Sequence, residues 1–250
     1  MSEFIAESIE SKNALNMATL AAALPVQILI FGEIGTGKKA LARKISPNAL
    51  LFDAQKLQKL MLNNSINFND DKNSTFIIND IDKINNIRQF VEKLEANYIK
   101  IVATASSEKD SFSEKFAVRI DIEPLAKRNA DAKVLSKYYL KEANKLFNTD
   151  IKIDDIKVDM SRNSISLKES IYKCVVFESL NLEQVQTLLE NFLLKEMDKK
   201  SDYKDLLQIF ETPLIKASRI KYKSQLQMAQ KLNINRNTLR KKINQYGLGD

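Results

Sequence analysis

The sequence predicts an α/β domain built on a parallel sheet, followed by a small helical domain and a C-terminal all-α helix-turn-helix. Short apolar runs alternate with helical stretches up to Glu123-Pro124, an order that is typical of parallel sheets. Beyond that point the β-branched runs stop, and the last forty residues combine an apolar helical period with strong basic charge. We therefore predict domains at residues 1–125, 126–200 and 205–250.

The strand prediction rests on short apolar segments of the first half. The first of them, Val26–Phe31, follows a predicted helix over residues 2–23, which Pro25 prevents from continuing. The other predicted strands are Leu50–Asp53, Ser74–Asn79, Ile99–Ala105 and Val118–Ile122. Predicted helices, within the sheet domain and then in the helical domain, are Ala54–Leu62, Asn86–Ala96, Asn129–Phe147, Leu167–Glu178 and Leu182–Lys199. The polar segment Lys199–Asp202 is the predicted linker to the last domain.

Composition excludes several kinds of chemistry. The 250 residues include no histidine, which excludes histidine-based catalytic triads and histidine-ligated zinc. Cys174 is the only cysteine, so no internal disulfide can form and a reducing compartment is expected. No apolar run approaches the roughly 18 residues that span a bilayer, and Met1-Ser2-Glu3-Phe4 does not begin a signal peptide. We expect a cytoplasmic protein without membrane contact.

The positive charge is concentrated at one end of the chain. The formal net charge is +7, from 39 basic and 32 acidic residues. Residues 211–250 contain nine basic and two acidic residues, so this segment alone accounts for the excess and residues 1–210 are balanced. Such an asymmetry indicates a polyanionic partner for the C-terminal segment. A solubilising basic tail is the alternative, and the apolar helical period of the segment argues against it.

A glycine-rich segment follows the first predicted strand. Residues 32–39 match the phosphate-loop pattern G-x-x-x-x-G-K, and three of the five glycines in the chain lie within it. Such a loop turns backbone N–H groups toward one point, where the following helix N-terminus adds positive charge. A chance glycine-rich turn is the alternative. The residues predicted to bind ATP are Gly32, Glu33, Ile34, Gly35, Thr36, Gly37, Lys38 and Lys39.

Three positions bear on catalysis and metal binding. Lys39 stands where phosphate loops usually have serine or threonine, so no hydroxyl is offered to Mg²⁺ there. Asp80, which follows the poor metal ligand Asn79 at a strand end, is the candidate to hold Mg²⁺ or to orient water; the alternative is an ordinary turn. Arg119 is the candidate to act on the phosphates of a neighbouring subunit, and a surface arginine on a strand is the alternative.

The C-terminal segment predicts three helices. Thr212-Pro213 is the predicted start of the first, because threonine can cap a helix and proline fits its first position. Ser224 and Asn235 are the predicted caps of the other two helices, and Asn233-Ile234-Asn235 forms the turn between them. The side chains predicted to face inward are Leu214, Ile215, Ala217, Ser218, Ile220, Tyr222, Leu226, Met228, Ala229, Leu232, Leu239 and Ile243.

The polar residues of the third helix lie mostly in its N-terminal half, the part that a recognition helix presents to base edges in the major groove. Basic residues that flank the preceding helix suit phosphate contacts. The alternative is a small helical bundle with a solvated basic face. The residues predicted to contact double-stranded DNA are Lys223, Ser224, Gln225, Asn235, Arg236, Asn237, Thr238, Arg240, Lys241 and Lys242.

Two parts of the chain resemble known families. The segment Gln225–Lys242 resembles the Fis-type helix-turn-helix, almost residue for residue from Ile234 onward. The front resembles the AAA+ domain of the sigma-54 enhancer-binding (NtrC-class) activators: the phosphate loop is similar to theirs, Ile99–Ser106 looks like their sensor strand, and Phe112–Pro124 is similar to their arginine-finger segment. That class ends in a Fis-type module. The resemblance implies an AAA+ fold, ATP with Mg²⁺, a homodimer or larger homo-oligomer, and transcription machinery as a partner.

Several positions depart from that family. Asn79-Asp80 corresponds to its acidic Asp-Glu pair, and Ser106 corresponds to its sensor asparagine. Of its two finger arginines, the first corresponds to Ser113 and only Arg119 remains. Its second sensor corresponds to Asn181-Leu182-Glu183, which has glutamate in place of arginine. Because hydrolysis uses these groups to place water and neutralise charge, slow or absent turnover is predicted, whereas binding rests mainly on the loop backbone and its lysine.

Two larger parts of the family are expected to be missing. Only about twenty residues, Asp53–Ser74, separate the second and third predicted strands, which leaves out the loop that contacts the sigma factor; we also expect no receiver domain before residue 1. The sequence therefore predicts a sequence-specific DNA-binding transcriptional regulator with an ATP-binding, hydrolysis-impaired domain. The alternative is an active AAA+ ATPase that remodels a protein or nucleoprotein partner and uses DNA binding only for placement.

Overall fold

A computed structural model describes residues 3–63, 65–66, 68, 74–153, 156–199 and 202–249. The chain divides into two compact units, Met1–Ser179 and Leu180–Asp250. In the described part of the chain, no helix combines the length and the apolar character that crossing a membrane requires.

The first unit contains a five-stranded parallel sheet. Its strands are β1 (Ile28–Phe31), β2 (Leu50–Asp53), β3 (Thr75–Asn79), β4 (Lys100–Ala105) and β5 (Val118–Asp121). They lie in the order β2-β3-β4-β1-β5, and every neighbouring pair is parallel. The predicted parallel α/β sheet is therefore confirmed. Because all five strands are parallel, the loop after β1 opens at the carboxyl edge of the sheet, where ligands bind in open α/β folds.

Helices accompany the sheet: α1 (Ile9–Ala22), α2 (Lys38–Ile45), α3 (Ala54–Leu62), α4 (Ile87–Glu95) and α5 (Phe112–Lys115). Asp53 caps α3 by accepting a hydrogen bond from the N–H of Lys56 at 3.0 Å, and α3 has its predicted bounds. Asn86 caps α4 in the same way, from the N–H of Gln89 at 3.2 Å. Such bonds satisfy N–H groups that have no partner inside the helix, and they fix where each helix begins.

Both faces of the sheet are covered by apolar cores. Leu29 belongs to one core, whereas Ile28 and Ile30 belong to the other, because successive side chains of a strand point to opposite faces. Ile77 of β3 lies in the second core, and its two neighbours along the strand lie in the first. A strand that is buried on both faces reads as an unbroken apolar run, which is why these segments predicted strands without alternation.

The N-terminal helix begins later than predicted. The predicted helix covers residues 2–23, of which residue 2 lies outside the described residues, but α1 begins at Ile9. Asp131, which is fully buried, accepts hydrogen bonds from the N–H groups of Glu7 and Ser8 at 2.7 and 2.8 Å. A longer helix would need the N–H of Glu7 for its own ladder, so this long-range contact prevents the helix from starting earlier.

Two further helices complete the first unit, α6 (Asn129–Phe147) and α7 (Ser164–Ser179). They pack around a separate apolar core that includes Leu135, Leu140 and Leu167. The helix α6 has its predicted bounds, whereas α7 begins before the predicted Leu167. The earlier start places Ser164 at the beginning of the helix, where it contacts the glycine-rich loop.

The second unit consists of α8 (Leu182–Met197), α9 (Tyr203–Lys221), α10 (Gln225–Lys231) and α11 (Arg236–Gln245). The predicted helix start at Thr212-Pro213 is wrong, because α9 continues through both residues. Asp202 caps α9 by accepting from the N–H groups of Lys204 and Asp205, and a capping box completes the start. Proline in a helix interior removes one helical hydrogen bond, a loss that the longer helix tolerates here.

The boundary between the helical segments also differs from the prediction. The predicted helical domain, 126–200, included α8, but α8 clusters with the C-terminal helices, and the division falls at Ser179 and Leu180. Of the predicted linker 199–202, residues 200 and 201 lie outside the described residues.

Asp131→Ala will destabilise the protein more than a comparable change on the same helix. The variant leaves the guanidinium of Arg128, 3% exposed and 3.1 Å from Asp131, buried without its ionic partner. Removing one member of a buried ion pair typically costs about 3–5 kcal/mol, and we expect the free energy of unfolding in urea to fall by that amount. Glu142→Ala, which breaks the exposed pair with Lys168, is the control and should cost at most about 1 kcal/mol. Equal losses in the two variants would contradict the prediction.

Candidate functional site

The glycine-rich loop joins β1 to α2 at the carboxyl edge of the sheet. Thr36, which is 3% exposed, donates from its hydroxyl to the carbonyl of Glu33 at 2.9 Å and so folds the loop onto itself. Gly37 precedes α2 in the left-handed conformation, with φ at 104°. The loop therefore ends at a helix N-terminus, where free N–H groups and the helix dipole favour an anion.

Lys38 is the buried cation of the loop. Its ammonium donates to the carbonyls of Gly32 and Glu33 at 2.6 and 2.7 Å, and to the hydroxyl of Ser106, just after β4, at 2.9 Å. Burial lowers the pKa of Lys38, and the nearby carboxylate of Asp80 opposes that shift. The three acceptors hold the ammonium between the loop and the end of β4.

Asn163 connects the loop to the start of α7. This side chain, which is 1% exposed, accepts from the N–H of Leu125 at 2.6 Å. Its amide donates to the carboxylate of Glu33 and to the carbonyl of Ile34, both at 3.0 Å. The backbone of Asn163 is left-handed, with φ at 55°, a conformation in which asparagine is enriched. One buried amide thus binds two distant parts of the chain.

Gly35 approaches the same helix start. Its carbonyl accepts from the N–H and the hydroxyl of Ser164, at 3.2 and 2.7 Å. A Cβ at Gly35 would lie 2.6 Å from the carbonyl oxygen of Arg162, and φ at 85° also disfavours other residues. The glycine is therefore required by the contact with α7 as well as by the loop itself.

Arg128 binds a further carbonyl of the loop. Its guanidinium donates to the carbonyl of Thr36 at 2.8 Å, and to the hydroxyl of Ser11 and the carboxylate of Asp131, both at 3.1 Å. Burial lowers the pKa of Arg128, while Asp131 opposes the shift. The carbonyls of residues 32–36 therefore each accept a hydrogen bond from a side chain.

Four residues around the loop were not predicted from sequence: Arg128, Asp131, Asn163 and Ser164. Their bonds to the loop and to the N-terminal segment connect positions that are 92 to 130 residues apart, so no local pattern marks them. The only available signal was an asparagine and a serine just before an apolar helical run, a pattern that indicates a helix start and nothing about a phosphate loop.

Two cavities adjoin the loop. The larger, of about 700 Å³, is lined by Ile34, Gly35, Gly37, Lys38, Lys39, Ala40, Asp80, Asp82, Lys83, Thr104, Ser106, Ser107, Lys109, Ser164 and Ile165. The smaller, of about 110 Å³, is lined by Glu3, Phe4, Ile5, Gly35, Thr36, Gly37, Ala40, Arg128, Leu135, Tyr139 and Ser164. The structure thus brings six residues predicted to bind ATP, and Asp80, to one or both cavities; Gly32 and Glu33 contact Lys38 instead.

Asp80 lines the larger cavity but already has an ionic partner. Its carboxylate lies 2.8 Å from the ammonium of Lys83, and this hydrogen bond raises the pKa of Lys83. Its N–H donates to the hydroxyl of Thr104 at 3.2 Å, in a left-handed backbone conformation with φ at 58°. The neighbouring Asn79 is 5% exposed, and its Oδ1 accepts no hydrogen bond. Asp80 therefore forms a strand-end turn that lines the cavity.

The larger cavity does not fit Mg²⁺ in the manner of phosphate loops. Lys39 lines it at the position of the usual hydroxyl, and an ammonium has no lone pair to offer a cation. The charge of Asp80 is balanced by Lys83. In the described ranges, no group of three or more acidic or cysteine side chains is placed to hold a metal ion.

Arg119 lies on the edge strand β5 between two carboxylates. Its guanidinium contacts Glu108 at 2.8 Å and Asp121 at 2.9 Å, and it stacks over the ring of Phe31 at 4.3 Å. The bond to Asp121 raises the pKa of Arg119. Arg119 lines neither of the two cavities at the loop. Action on a neighbouring subunit would require both ion pairs to break.

The helix start at the larger cavity is that of α7. Ser164 and Ile165 line it. The resemblance placed the second-sensor segment at residues 181–183, with Glu183 in place of an arginine, but these residues begin α8 in the second unit. The residues that α7 contributes to this cavity are therefore a serine and an isoleucine, which offer no positive charge to a phosphate.

In the second unit, α9, α10 and α11 pack around a small core that includes Ile215, Met228 and Leu239. Both predicted caps are confirmed: Ser224 accepts from the N–H of Gln227 at 3.3 Å and Asn235 accepts from the N–H of Asn237 at 2.8 Å. Asn233, in the predicted turn between α10 and α11, has a left-handed conformation, with φ at 51°.

Four predicted inward positions are wrong, because Leu214, Ala217, Ile220 and Leu226 are exposed. The buried face of α9 follows Ile215, Ser218 and the half-buried Tyr222, and residues between these positions point elsewhere on the helix. Of the predicted DNA contacts, Gln225 and Lys242 are half-buried. The exposed ones are Lys223, Ser224, Asn235, Arg236, Asn237, Thr238, Arg240 and Lys241.

Lys242 joins α11 to α9. Its ammonium lies 2.6 Å from the carboxylate of Glu211, and the hydroxyl of Tyr246 donates to the same carboxylate. These bonds lower the pKa of Glu211 and raise the pKa of Tyr246 to about 12. The ammonium of Lys242 thus already forms an ion pair within the protein, so it is less available to bind a DNA phosphate.

Comparisons with known proteins identify the fold. No protein-family model matches the chain, and no curated protein matches it. The structure is similar to that of NtrX from Brucella abortus in complex with ADP, with a TM-score of 0.59 and 12% identity over 99% of this chain and 69% of that one. For NtrX in complex with ATP the TM-score is 0.54, with 12% identity over 98% and 69%. At this identity the similarity shows the fold alone, an α/β fold with a five-stranded parallel sheet.

Glu211→Gln will return the pKa of Tyr246 toward its ordinary value of 10.0. The hydrogen bond to Glu211 is the main cause that raises this pKa to about 12. At a pH between the two values, NMR of ring-labelled tyrosine, assigned with Tyr246→Phe, should find Tyr246 protonated in the wild type and largely ionised in the variant. Ionised Tyr246 in the wild type at that pH would contradict the assignment.

The contact between Glu211 and Tyr246 makes the stability of the protein depend on pH at both low and high pH. The raised pKa of Tyr246 stabilises the folded state up to pH 10, and this contribution is lost as pH rises from 10 to about 12. The pKa of Glu211 is lowered, so its contribution is present above pH 4.5 and is lost as pH falls through the folded value. Both dependences should be weaker in Glu211→Gln.

Proposed function

We propose that the chain is a sequence-specific DNA-binding transcriptional regulator whose P-loop domain binds ATP and is impaired in hydrolysis. The observation that carries the proposal is the exposed polar and basic surface at the start of α11, in the segment that holds the excess charge of the chain. A polyanion partner fits this surface, and the pairing of α10 with α11 fits a helix-turn-helix.

In this proposal α11 is the recognition helix. Arg236 and Asn237, both exposed, lie in its first turn, and these residue types form bidentate contacts with guanine and adenine in the major groove. Leu239 and Ile243 are 0% and 2% exposed and anchor the opposite face of the helix to the core of the unit. A rigidly held helix with polar residues on its free face is what base readout requires.

Other exposed residues suit the DNA backbone. Lys223 and Ser224 lie just before α10, and Lys241 lies on α11 beyond the first turn. Contacts with phosphates position a protein on the duplex without reading sequence, and they make affinity depend on salt. Lys242 contributes less in this proposal, because its ammonium is bound to Glu211.

The loop after β1 supports ATP binding. Because the carbonyls of residues 32–36 are bonded to side chains, the N–H groups on the opposite edges of these planar peptides are turned toward the other side of the loop. The adjoining cavity of about 700 Å³ falls within the size range of small-molecule sites. NtrX, which has the same fold, forms complexes with ATP and ADP.

Impaired hydrolysis is proposed from the groups around that cavity. Asn79 cannot act as a base, Asp80 is paired with Lys83, and Arg119 is held by two carboxylates on its own sheet edge. Hydrolysis needs a positioned water and positive charge on the leaving phosphate. ATP would then act as a bound ligand that stabilises one form of the protein.

A homodimer is proposed from the apolar surface of α8. This helix contributes no buried residue within its unit, and Leu188 and Phe192, one turn apart, are 55% and 48% exposed. Contiguous exposed apolar surface of this kind marks an interaction site. Pairing of α8 with a second copy would present two α11 helices, as helix-turn-helix dimers do for two half-sites.

Arg236→Ala should lower affinity for the preferred DNA and relax sequence preference. A bidentate contact with guanine contributes about 1–3 kcal/mol, so we expect a loss of roughly tenfold to a hundredfold for a site selected from random DNA. Lys241→Ala should weaken binding to all sequences alike and reduce the salt slope by about 1. Quantitative footprinting at one salt concentration measures both.

Lys216→Ala, on an exposed position of α9, is the matched control and should leave the sequence preference unchanged. Absence of any preferred sequence for the wild type would refute the proposal of specific readout, as would an identical response of the two α11 variants.

Phe192→Asp should convert the dimer to a monomer, because a buried carboxylate without a partner strongly disfavours an apolar interface. Sedimentation measures the mass, and the affinity for a paired DNA site should fall with it. Thr187→Asp adds the same charge on the opposite face of α8, about 140° away, and should leave the dimer intact. A wild type that sediments as a monomer would refute the interface.

A further inference from the structure

The larger cavity at the loop is rich in ammonium groups. Four lysines line it, together with two aspartates: Lys38, Lys39, Lys83, Lys109, Asp80 and Asp82. Phosphate-loop sites generally hold the outer phosphates with one lysine, a metal-binding hydroxyl and Mg²⁺. In this cavity a second lysine takes the place of the metal-binding hydroxyl. The cavity therefore has more positive charge than that pattern and lacks the usual Mg²⁺ ligand.

Lys39 is the substitution that matters most. It immediately follows the loop lysine, its side chain is exposed, and its charge is near enough to Lys38 to influence it. An ammonium donates three hydrogen bonds and accepts none. An ammonium therefore suits direct contact with phosphate oxygens, and it repels a divalent cation from the place where the hydroxyl ordinarily binds Mg²⁺.

The two aspartates of the cavity offer few free carboxylate oxygens to coordinate a metal ion. Asp80 forms an ion pair with Lys83 at 2.8 Å. One oxygen of Asp82 accepts from the N–H of Ser107 at 3.0 Å, and only its Oδ1 is buried without a hydrogen bond. Two carboxylates face four lysines, so Mg²⁺ would enter this cavity against a net positive charge.

We propose that this cavity binds the triphosphate of a nucleotide as the free polyanion, without a divalent cation, and that Lys39 supplies positive charge that Mg²⁺ supplies elsewhere. The inference rests on the proposed nucleotide binding, and it specifies that the nucleotide binds without Mg²⁺. In solution, Mg²⁺ chelates the same phosphate oxygens and loses its water reluctantly. Added Mg²⁺ therefore competes with the lysines for the ligand.

Calorimetric titration of the full chain with ATP, once with excess Mg²⁺ and once with a chelator, tests the inference. We expect affinity for wild type to be about tenfold higher in the chelator, which corresponds to one charge-assisted contact that Mg²⁺ removes. Lys39→Thr restores a hydroxyl and should reverse the preference, so that Mg²⁺ increases its affinity. Lys39→Ala, which adds no hydroxyl, should lose affinity in the chelator and gain none from Mg²⁺.

Two further variants separate the possible failures. Lys38→Ala should lose binding in both solutions. Asp82→Asn should keep the wild-type preference; if Mg²⁺ instead tightens wild-type binding and Asp82→Asn abolishes that effect, Asp82 holds a metal and the inference is overturned while nucleotide binding stands. Absence of ATP binding to the wild type in either solution would overturn the proposed nucleotide function and this inference with it. Far-ultraviolet circular dichroism confirms that each variant is folded.

Discussion

The geometry of the phosphate loop depends on how its carbonyl groups are bound. Five successive carbonyls, at residues 32–36, accept hydrogen bonds from the side chains of Thr36, Lys38, Asn163, Ser164 and Arg128. Only the first two of these donors belong to the loop segment itself. Because a peptide is planar, fixing each carbonyl also fixes the N–H on its other side. The shape of the second half of the loop is thus set by α7 and by the segment that leads into α6.

This dependence explains what could be predicted from sequence. The central strands β1, β3 and β4 were found because each contains an apolar run buried on both faces, and the loop was found because its glycines and lysine are local. Asn163 and Arg128 were missed, because their partners lie about a hundred positions away. The start of α9 was missed for a related reason: Pro213 gives a local signal for a helix start, and the capping box at Asp202 overrides it.

The two units support the proposed function through different features. In the first, the fold and the loop are defined, while residues that would drive hydrolysis are replaced or paired: Asn79 for an acid, Asp80 with Lys83, and Arg119 with two carboxylates. In the second, an apolar core holds α11 so that its polar residues stay exposed. On these grounds we propose a DNA-binding protein with a nucleotide ligand, in which the loop lysine Lys38 serves binding and not turnover.

A single-turnover measurement tests this account most directly. A trace of labelled ATP is mixed with excess protein, with DNA and Mg²⁺ present, and the bound nucleotide is recovered over time and analysed for ADP. The account predicts that the wild type retains intact ATP and that Lys38→Ala retains none. Conversion of bound ATP to ADP, at a rate that rises with protein concentration and disappears in Arg119→Ala, would contradict the account and establish an active ATPase that works across a subunit interface.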